Sequence, residues 1–163
     1  MIEIPLSEID WGMSRRVGAR RMLEGRGSLG WGHRTVDQEA IGVAGELAFG
    51  KYIGRSAEFV YGRGDNGDFR LGDSRVDVKT SQLKSYQRPE RLHLLAHKVS
   101  KPSDIYVRVF IAPDREKAWL YGWTTREELV KAPTMVWENH ELYAMPSEQL
   151  YGMDELKKLF IIP

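Results

Sequence analysis

One stretch, residues 64–82, constrains the fold of this 163-residue chain more than any other. Two short runs of alternating apolar and polar residues, at 68–71 and 74–81, flank the dipeptide Gly72-Asp73. A glycine followed by a polar residue, between two such runs, is typical of a type II′ hairpin turn. The sequence therefore predicts a tight β-hairpin at this point, with the pairing of its strands fixed by the turn.

The register of this hairpin brings two acidic residues together. Counting back from the turn places Asp68 opposite Asp77, and Lys79 follows two residues later. Because side chains alternate across a strand, these three residues share one face. The other face is apolar and consists of Phe69, Leu71, Val76 and Val78. Opposed carboxylates repel each other, and a divalent cation with oxygen ligands would explain the pairing.

The spacing of these residues resembles the active-site motif of the PD-(D/E)XK nuclease superfamily. Asp68 is followed by an eight-residue spacer and then by Asp77-Val78-Lys79, while Gly67 stands where the family motif has proline. The resemblance implies a restriction-endonuclease-like fold and hydrolysis of phosphodiester bonds in DNA. It also implies a Mg²⁺ or Mn²⁺ ion held by the two aspartates and the Val78 carbonyl. The lysine would then position or deprotonate the attacking water, or stabilise negative charge.

A helix is predicted over residues 36–53. Thr35 and Gln38 form a capping box, and Gly54 supplies a C-terminal stop. The segment around Glu46 resembles the first-helix signature of phage and bacterial members of the same superfamily. The resemblance implies that Glu46 faces the metal site, with Glu39 as a second, accessory candidate that we interpret as a solvent-facing helix acid.

Residues 1–34 are predicted to form a basic N-terminal arm. Four arginines, Arg15, Arg16, Arg20 and Arg21, fall on one side of a helix. Arginine suits phosphate because its fork binds two oxygens at once. Contact with DNA phosphates, together with Arg34 and Lys84, and a solvated face paired with acids such as Glu24 both stay open.

Further elements complete the predicted fold. Gln82, shortly after the motif lysine, is either an accessory residue that orients water or phosphate or a strand-end residue that bonds the backbone. Residues 57–61 are predicted to be a first strand. Residues 104–112 alternate in a way typical of a central strand covered on both faces, and 117–123 are its partner. We expect one α/β domain, with a restriction-endonuclease-like αβββαβ core at 35–123, a mixed central sheet flanked by helices, and packing elements at 124–163.

Composition narrows the function classes. The chain has no cysteine, which excludes disulfides, thiolate zinc sites and a cysteine nucleophile. The formal net charge is +1, and no apolar stretch approaches the ~20 residues that span a bilayer. No phosphate-cradling glycine loop precedes a Lys-Ser/Thr pair, so no nucleotide cofactor is expected. The N-terminus lacks the pattern of a cleaved leader, and we expect a cytoplasmic, intracellular protein, phage-encoded or bacterial.

Several alternatives to a DNA-cleaving enzyme of replication, recombination or repair stay open. One alternative is a non-catalytic DNA-binding module on the same fold, and another is a Holliday-junction resolvase-like homodimer. An RNA endonuclease is a weaker third interpretation. Intact Asp68, Asp77 and Lys79 favour the enzyme, because a module without catalysis has no reason to retain opposed acids.

Overall fold

The computed structural model describes residues 1–24, 35–57, 59, 67–85, 93–97, 103–137 and 140–160. Four α-helices and eight β-strands lie in these ranges. The helices are α1 (Glu8–Leu23), α2 (Val36–Ile53), α3 (Arg126–Leu129) and α4 (Met153–Phe160). The strands are β1 (Ile2–Pro5), β2 (Phe69–Leu71), β3 (Ser74–Gln82), β4 (His93–His97), β5 (Ile105–Ile111), β6 (Lys117–Thr125), β7 (Thr134–Trp137) and β8 (His140–Pro146). A short 3₁₀ helix, Ser147–Gln149, follows β8.

Five strands form the main sheet, in the order β1-β6-β5-β3-β2. β3 and β5 run parallel, while the other neighbouring pairs run antiparallel, so the sheet is mixed. β5 is buried along its whole length, as its alternating sequence predicts for a central strand. The remaining strands form a second sheet in the order β4-β8-β7. The α/β class and the mixed main sheet agree with the sequence prediction.

α2 begins and ends where its sequence predicts. Thr35 Oγ1 accepts the Gln38 N–H and the Gln38 side chain accepts the Thr35 N–H, which together form the capping box. Gly54 ends the helix with φ of +67°, a left-handed conformation that costs glycine little. One face of α2 packs on β3, and its buried residues there include Ala44, Ala48 and Phe49.

The two faces of the main sheet are covered differently. Helices α2 and α4 share one apolar cluster with the face of β2 and β3 that carries Phe69, Leu71, Val76 and Val78. The opposite face is covered in part by the second sheet, where Leu94 of β4 and Met145 of β8 pack with Tyr106 of β5. Asp77 and Lys79 alternate with the valines, so they lie on this second face.

Residues 1–24 are integral to the domain. β1 pairs with β6 at one edge of the main sheet, and α1 packs closely on α2. A Cβ atom added to Gly18 would lie only 3.0 Å from the Ala40 nitrogen, which explains a glycine at this helix contact. The segment predicted as an arm is therefore a strand and a helix of the core, and Arg34, beyond them, lies outside the described residues.

Two expectations for the order of elements are not met in the described residues. The strand predicted at 57–61 falls mostly outside them, and Ala57 and Phe59, which are described, lie in no strand. The connection from β3 to its parallel neighbour β5 passes through β4 of the second sheet. The part of that connection that the structure describes contains no helix, whereas an αβββαβ core has one there.

Candidate functional site

The hairpin has the predicted turn and register. Gly72 has φ of +59° and Asp73 does not have a positive φ, which fits a type II′ turn with glycine first. Leu71 faces Ser74, and Phe69 faces Val76. The register predicted from the sequence is therefore correct as far as Phe69, the first residue of β2.

The regular ladder ends one pair before the predicted Asp68–Asp77 pair. Gly67 has φ of +78°, and a Cβ atom on it would lie 3.0 Å from the Val76 carbonyl oxygen. The Asp68 N–H donates to that same carbonyl oxygen at 2.7 Å. Proline, with φ held near −65°, could not occupy this position, so the left-handed backbone explains why the residue before Asp68 is glycine.

The Asp68 side chain takes the place of the next ladder bond. Its Oδ2 accepts the Val78 N–H at 2.7 Å. Burial, followed by the negative charges of Glu46 and Asp77, raises the pKa of Asp68 well above its usual range, although the Val78 bond and Lys79 act against this. Asp68 is therefore within electrostatic reach of both Glu46 and Asp77.

Lys79 forms an ion pair with the motif aspartate. Its Nζ lies 2.7 Å from Oδ2 of Asp77, and about a third of the lysine side chain is exposed to solvent. The predicted shared face of Asp77 and Lys79 is confirmed by this contact. This ion pair places the lysine ammonium at the edge of the acidic cluster, by which we mean Asp68 with its neighbours Asp77 and Glu46.

Glu46 is buried and has a partner that the sequence did not indicate. Arg21 of α1 binds both of its carboxylate oxygens, at 2.7 and 2.8 Å, and both side chains are buried. Burial, the largest single influence, acts to lower the pKa of Arg21. The hydrogen bonds and charge of Glu46, with smaller contributions from the charges of Asp68 and Glu39, outweigh it, so the pKa is raised overall. Arg21 is thus a cation inside the acidic cluster rather than part of an exposed basic face.

The other three arginines of α1 are exposed. Arg20 pairs with Glu24 at 2.8 Å, as one of the two interpretations of this face expected. Arg21 stands apart from them because it follows Gly18 by one helical turn and so faces α2. That spacing of a small residue and an arginine was the signal in the sequence that could have revealed the pair.

The remaining predicted residues, Gln82, Lys84 and Glu39, lie in different surroundings. Gln82 donates to the Pro113 carbonyl at 3.3 Å and accepts from Arg115 at 3.1 Å, so it bonds neighbouring protein groups at the end of β3. Lys84 is exposed just beyond it. Glu39 is buried, so its interpretation as a solvent-facing acid is wrong; the reason is the close packing of α1 on the first turns of α2.

The sequence analysis missed one charged residue on the same face of the sheet. Arg108 of β5 is the register partner of Lys79 and is almost completely buried. Burial lowers the pKa of Arg108 to about 10. An arginine in the middle of a strand that is otherwise covered on both faces was the available signal.

The carboxylates are turned toward protein partners. Within the described ranges, no three side chains of the types His, Cys, Asp and Glu stand together as a ready-made metal site. Both oxygens of Glu46 and one oxygen each of Asp68 and Asp77 already accept hydrogen bonds or ion pairs. The chemistry of the donor set still suits a hard cation, because Asp68 lies within electrostatic reach of both Glu46 and Asp77 and carboxylate oxygens are the ligands that such ions prefer.

Of the helices that the structure describes, none combines the length and apolar character needed to cross a membrane. Comparisons with protein-family models, with curated proteins and with solved structures found no match to this chain.

Proposed function

We propose that this chain is a metal-dependent nuclease that hydrolyses phosphodiester bonds in DNA, with a core of the restriction-endonuclease-like type. The observation that carries the proposal is the placement of the buried Asp68 near two further carboxylates, Glu46 and Asp77, with Lys79 paired to Asp77. A buried carboxylate with a raised pKa, next to two further acids and a lysine, is characteristic of a functional site rather than of a packed core.

Asp68, Asp77 and the Val78 carbonyl would hold Mg²⁺ or Mn²⁺, with Glu46 as a further ligand. When bound, such an ion neutralises charge on the phosphate and lowers the pKa of water. The chain's own groups supply the rest. Hydrogen bonding to the Val78 N–H holds one oxygen of Asp68 and leaves the other available.

Lys79 and Arg21 have different tasks in this proposal. Lys79 Nζ, held by Asp77, donates a hydrogen bond to the attacking water or to the oxygen that gains negative charge. Arg21 fixes the orientation of the Glu46 carboxylate through two parallel bonds, and it does not itself touch the substrate. Asp77 thus orients the lysine as well as the cation.

A second candidate function rests on the same ion pairs. Arg21 and Lys79 already neutralise Glu46 and Asp77, so the site is partly charge-balanced without any added cation. This favours the alternative of a DNA-binding module that does not cleave. The resolvase-like homodimer and the RNA substrate have no observation of their own and stay predictions from the sequence.

A cleavage panel separates the two candidates. The purified chain is incubated with linear, nicked, single-stranded and branched DNA and with RNA, in Mg²⁺, Mn²⁺ or EDTA. We expect cleavage of DNA in either metal and none in EDTA. Asp77→Asn should abolish it, and Asp73→Asn, an exposed carboxylate at the turn of the same hairpin, should leave it unchanged. Tight DNA binding without cleavage in any metal would replace the enzyme by the module.

A further inference from the structure

The strongest unexplained feature of the molecule is the guanidinium of Arg108. Its residue is 6% exposed, yet no carboxylate in the described part of the chain lies within ion-pair distance of it. Its Nη1 donates a long bond of 3.3 Å to the Lys79 carbonyl, and its Nε has no hydrogen-bond partner. Burying a charge without an ionic partner is strongly unfavourable, so a sequence selected only for stability would avoid it.

The surroundings of Arg108 hold it in place. The guanidinium stacks over the Phe110 ring, 4.3 Å from the ring centre. Its neighbour on β6 is Gly122, and a Cβ atom there would lie 2.7 Å from the Tyr151 carbonyl oxygen. The segment that follows the 3₁₀ helix therefore packs against this side of β6.

Arg108 lies on the charged face of the sheet. It pairs in register with Lys79, and Tyr106, two residues earlier, pairs with Asp77. Register partners on adjacent parallel strands project from the same face, so the two cations are neighbours across β3 and β5. The charge of Asp77 also reaches Tyr106, whose pKa is raised first by burial and then by that aspartate.

We propose that Arg108 binds a phosphate group of a nucleic acid backbone, next to Lys79 and the acids around Asp68. The unpaired guanidinium supplies the donors that a phosphate oxygen requires, and the stacking on Phe110 fixes the plane in which they point. In this proposal Arg108 binds phosphate, whereas Asp68, which precedes β2, and Asp77 of β3 would hold the cation. The inference rests on the proposed function for the identity of the ligand, but anion binding can be measured without cleavage.

The first experiment uses inorganic phosphate alone. The melting temperature of the full chain is recorded with increasing phosphate, at constant ionic strength set by chloride. We expect phosphate to raise the melting temperature of the parent and not that of Arg108→Gln. Arg108→Met should melt higher than the parent in phosphate-free buffer, because it removes a buried unpaired charge. No phosphate response in the parent, or an equal response in Arg108→Gln, would overturn the proposal.

The second experiment distinguishes the source of the phosphate. Binding of duplex DNA with 5′-phosphate or 5′-hydroxyl ends is titrated in Ca²⁺, over a range of salt concentrations. We expect Arg108→Gln to bind both duplexes about 10- to 100-fold more weakly, the range for one charged hydrogen-bonding group. A loss confined to the 5′-phosphorylated duplex would assign Arg108 to terminal phosphates, which keeps the phosphate-binding proposal and names its source.

Two further variants keep the test decisive. Lys158→Gln removes one exposed charge from α4, on the other face of the sheet, and should bind DNA like the parent. Arg108→Lys keeps the charge and loses the fork, so it should bind weakly even if Arg108→Gln does not fold. DNA binding by Arg108→Lys equal to that of the parent would contradict the proposal, whereas a parent that binds phosphate through Arg108 but cleaves nothing would refute only the nuclease.

Discussion

The two faces of β3 have opposite characters, although they belong to one strand of nine residues. The face toward α2 carries Val76 and Val78, and its groups are packed in the apolar core. The face turned away carries Asp77 and Lys79, next to a buried arginine on β5. The first face explains why the hairpin lies where it does, since burial of apolar area drives folding. The second face contributes charges that stability does not require.

The comparison teaches that the charged groups near β3 are linked by ion pairs, whereas its valine face is held by apolar packing. Arg21 of α1 reaches Glu46 of α2, and both are electrostatically linked to Asp68 beside β2. Three separate segments of the chain therefore set the charge of one small region. Variants on the two faces should differ in kind, with lost function on one and lost stability on the other.

The largest expected effect is on catalysis, from the charged face. Lys79→Ala should bind DNA in Ca²⁺ about as well as the parent and cleave it ~10²–10⁴-fold more slowly in Mg²⁺, the range for an acid–base or electrostatic group. Single-turnover cleavage beside binding titrations measures both quantities. Lys158→Ala is the matched control. Equal rates for Lys79→Ala and the parent would move the lysine from catalysis to charge balance.

Arg21→Ala should destabilise the fold by ~3–5 kcal/mol, because it leaves the buried Glu46 carboxylate without its partner. Urea unfolding measures this loss. The double variant Arg21→Ala/Glu46→Gln should recover part of it, since the uncompensated charge is gone. Arg20→Ala, an exposed arginine next in sequence, should cost only ~0–1 kcal/mol. A small effect of Arg21→Ala would mean that Glu46 finds solvent or another cation.

The helix-facing side can be tested at two glycines of α2. A Cβ atom at Gly45 would lie 1.9 Å from Oγ1 and 2.8 Å from Cβ of Thr80, so the helix must move away from β3. We expect Gly45→Ala to cost about 1–3 kcal/mol. Gly42 has no atom in such contact, and Gly42→Ala should stabilise by up to about 1 kcal/mol through helix propensity. If both substitutions had the same sign, α2 would not approach β3 this closely.

The smallest expected effect is a dependence of stability on pH at Asp68. Its folded pKa is raised, so the folded state holds the proton more tightly and stability falls as pH rises from the unfolded pKa through the folded one. Asp68→Asn keeps an acceptor for the Val78 N–H and lacks this loss. The variant should therefore melt above the parent at neutral pH, and the difference should shrink in acid.

Addition of a divalent cation gives a second comparison between the parent and Asp68→Asn. Mn²⁺ or Ca²⁺ should raise the melting temperature of the parent, because it offsets the charge of Asp68, and should do little for Asp68→Asn. Thermal melts across pH, with and without the ion, measure both effects. If the stability of the parent did not change between acid and neutral pH, the raised pKa of Asp68 would be contradicted, and with it the grouping of carboxylates on which the metal proposal depends.

Much of the fold could be predicted from local chemistry. The capping box at Thr35, the stop at Gly54 and the turn at Gly72 each follow from one or a few neighbouring residues, and all three are present. The predicted apolar face of the hairpin is the buried one. The break in the ladder before Asp68 was not predictable, because it depends on a left-handed backbone at Gly67 that alternation alone does not indicate.

The sequence by itself determined the hairpin, the helix that precedes it and the set of acids that they carry. Local alternation already placed Lys79 beside Asp77, but only tertiary structure decided that Arg21 meets Glu46 and that Arg108 lies beside Lys79. Arg21 and Glu46 are 25 residues apart, and Lys79 and Arg108 become neighbours only through the parallel pairing of β3 and β5. Local propensity acts over one or two turns or a single hairpin, whereas these contacts require helix packing and sheet order. The charge balance of the site is therefore a property of the fold, not of the motif.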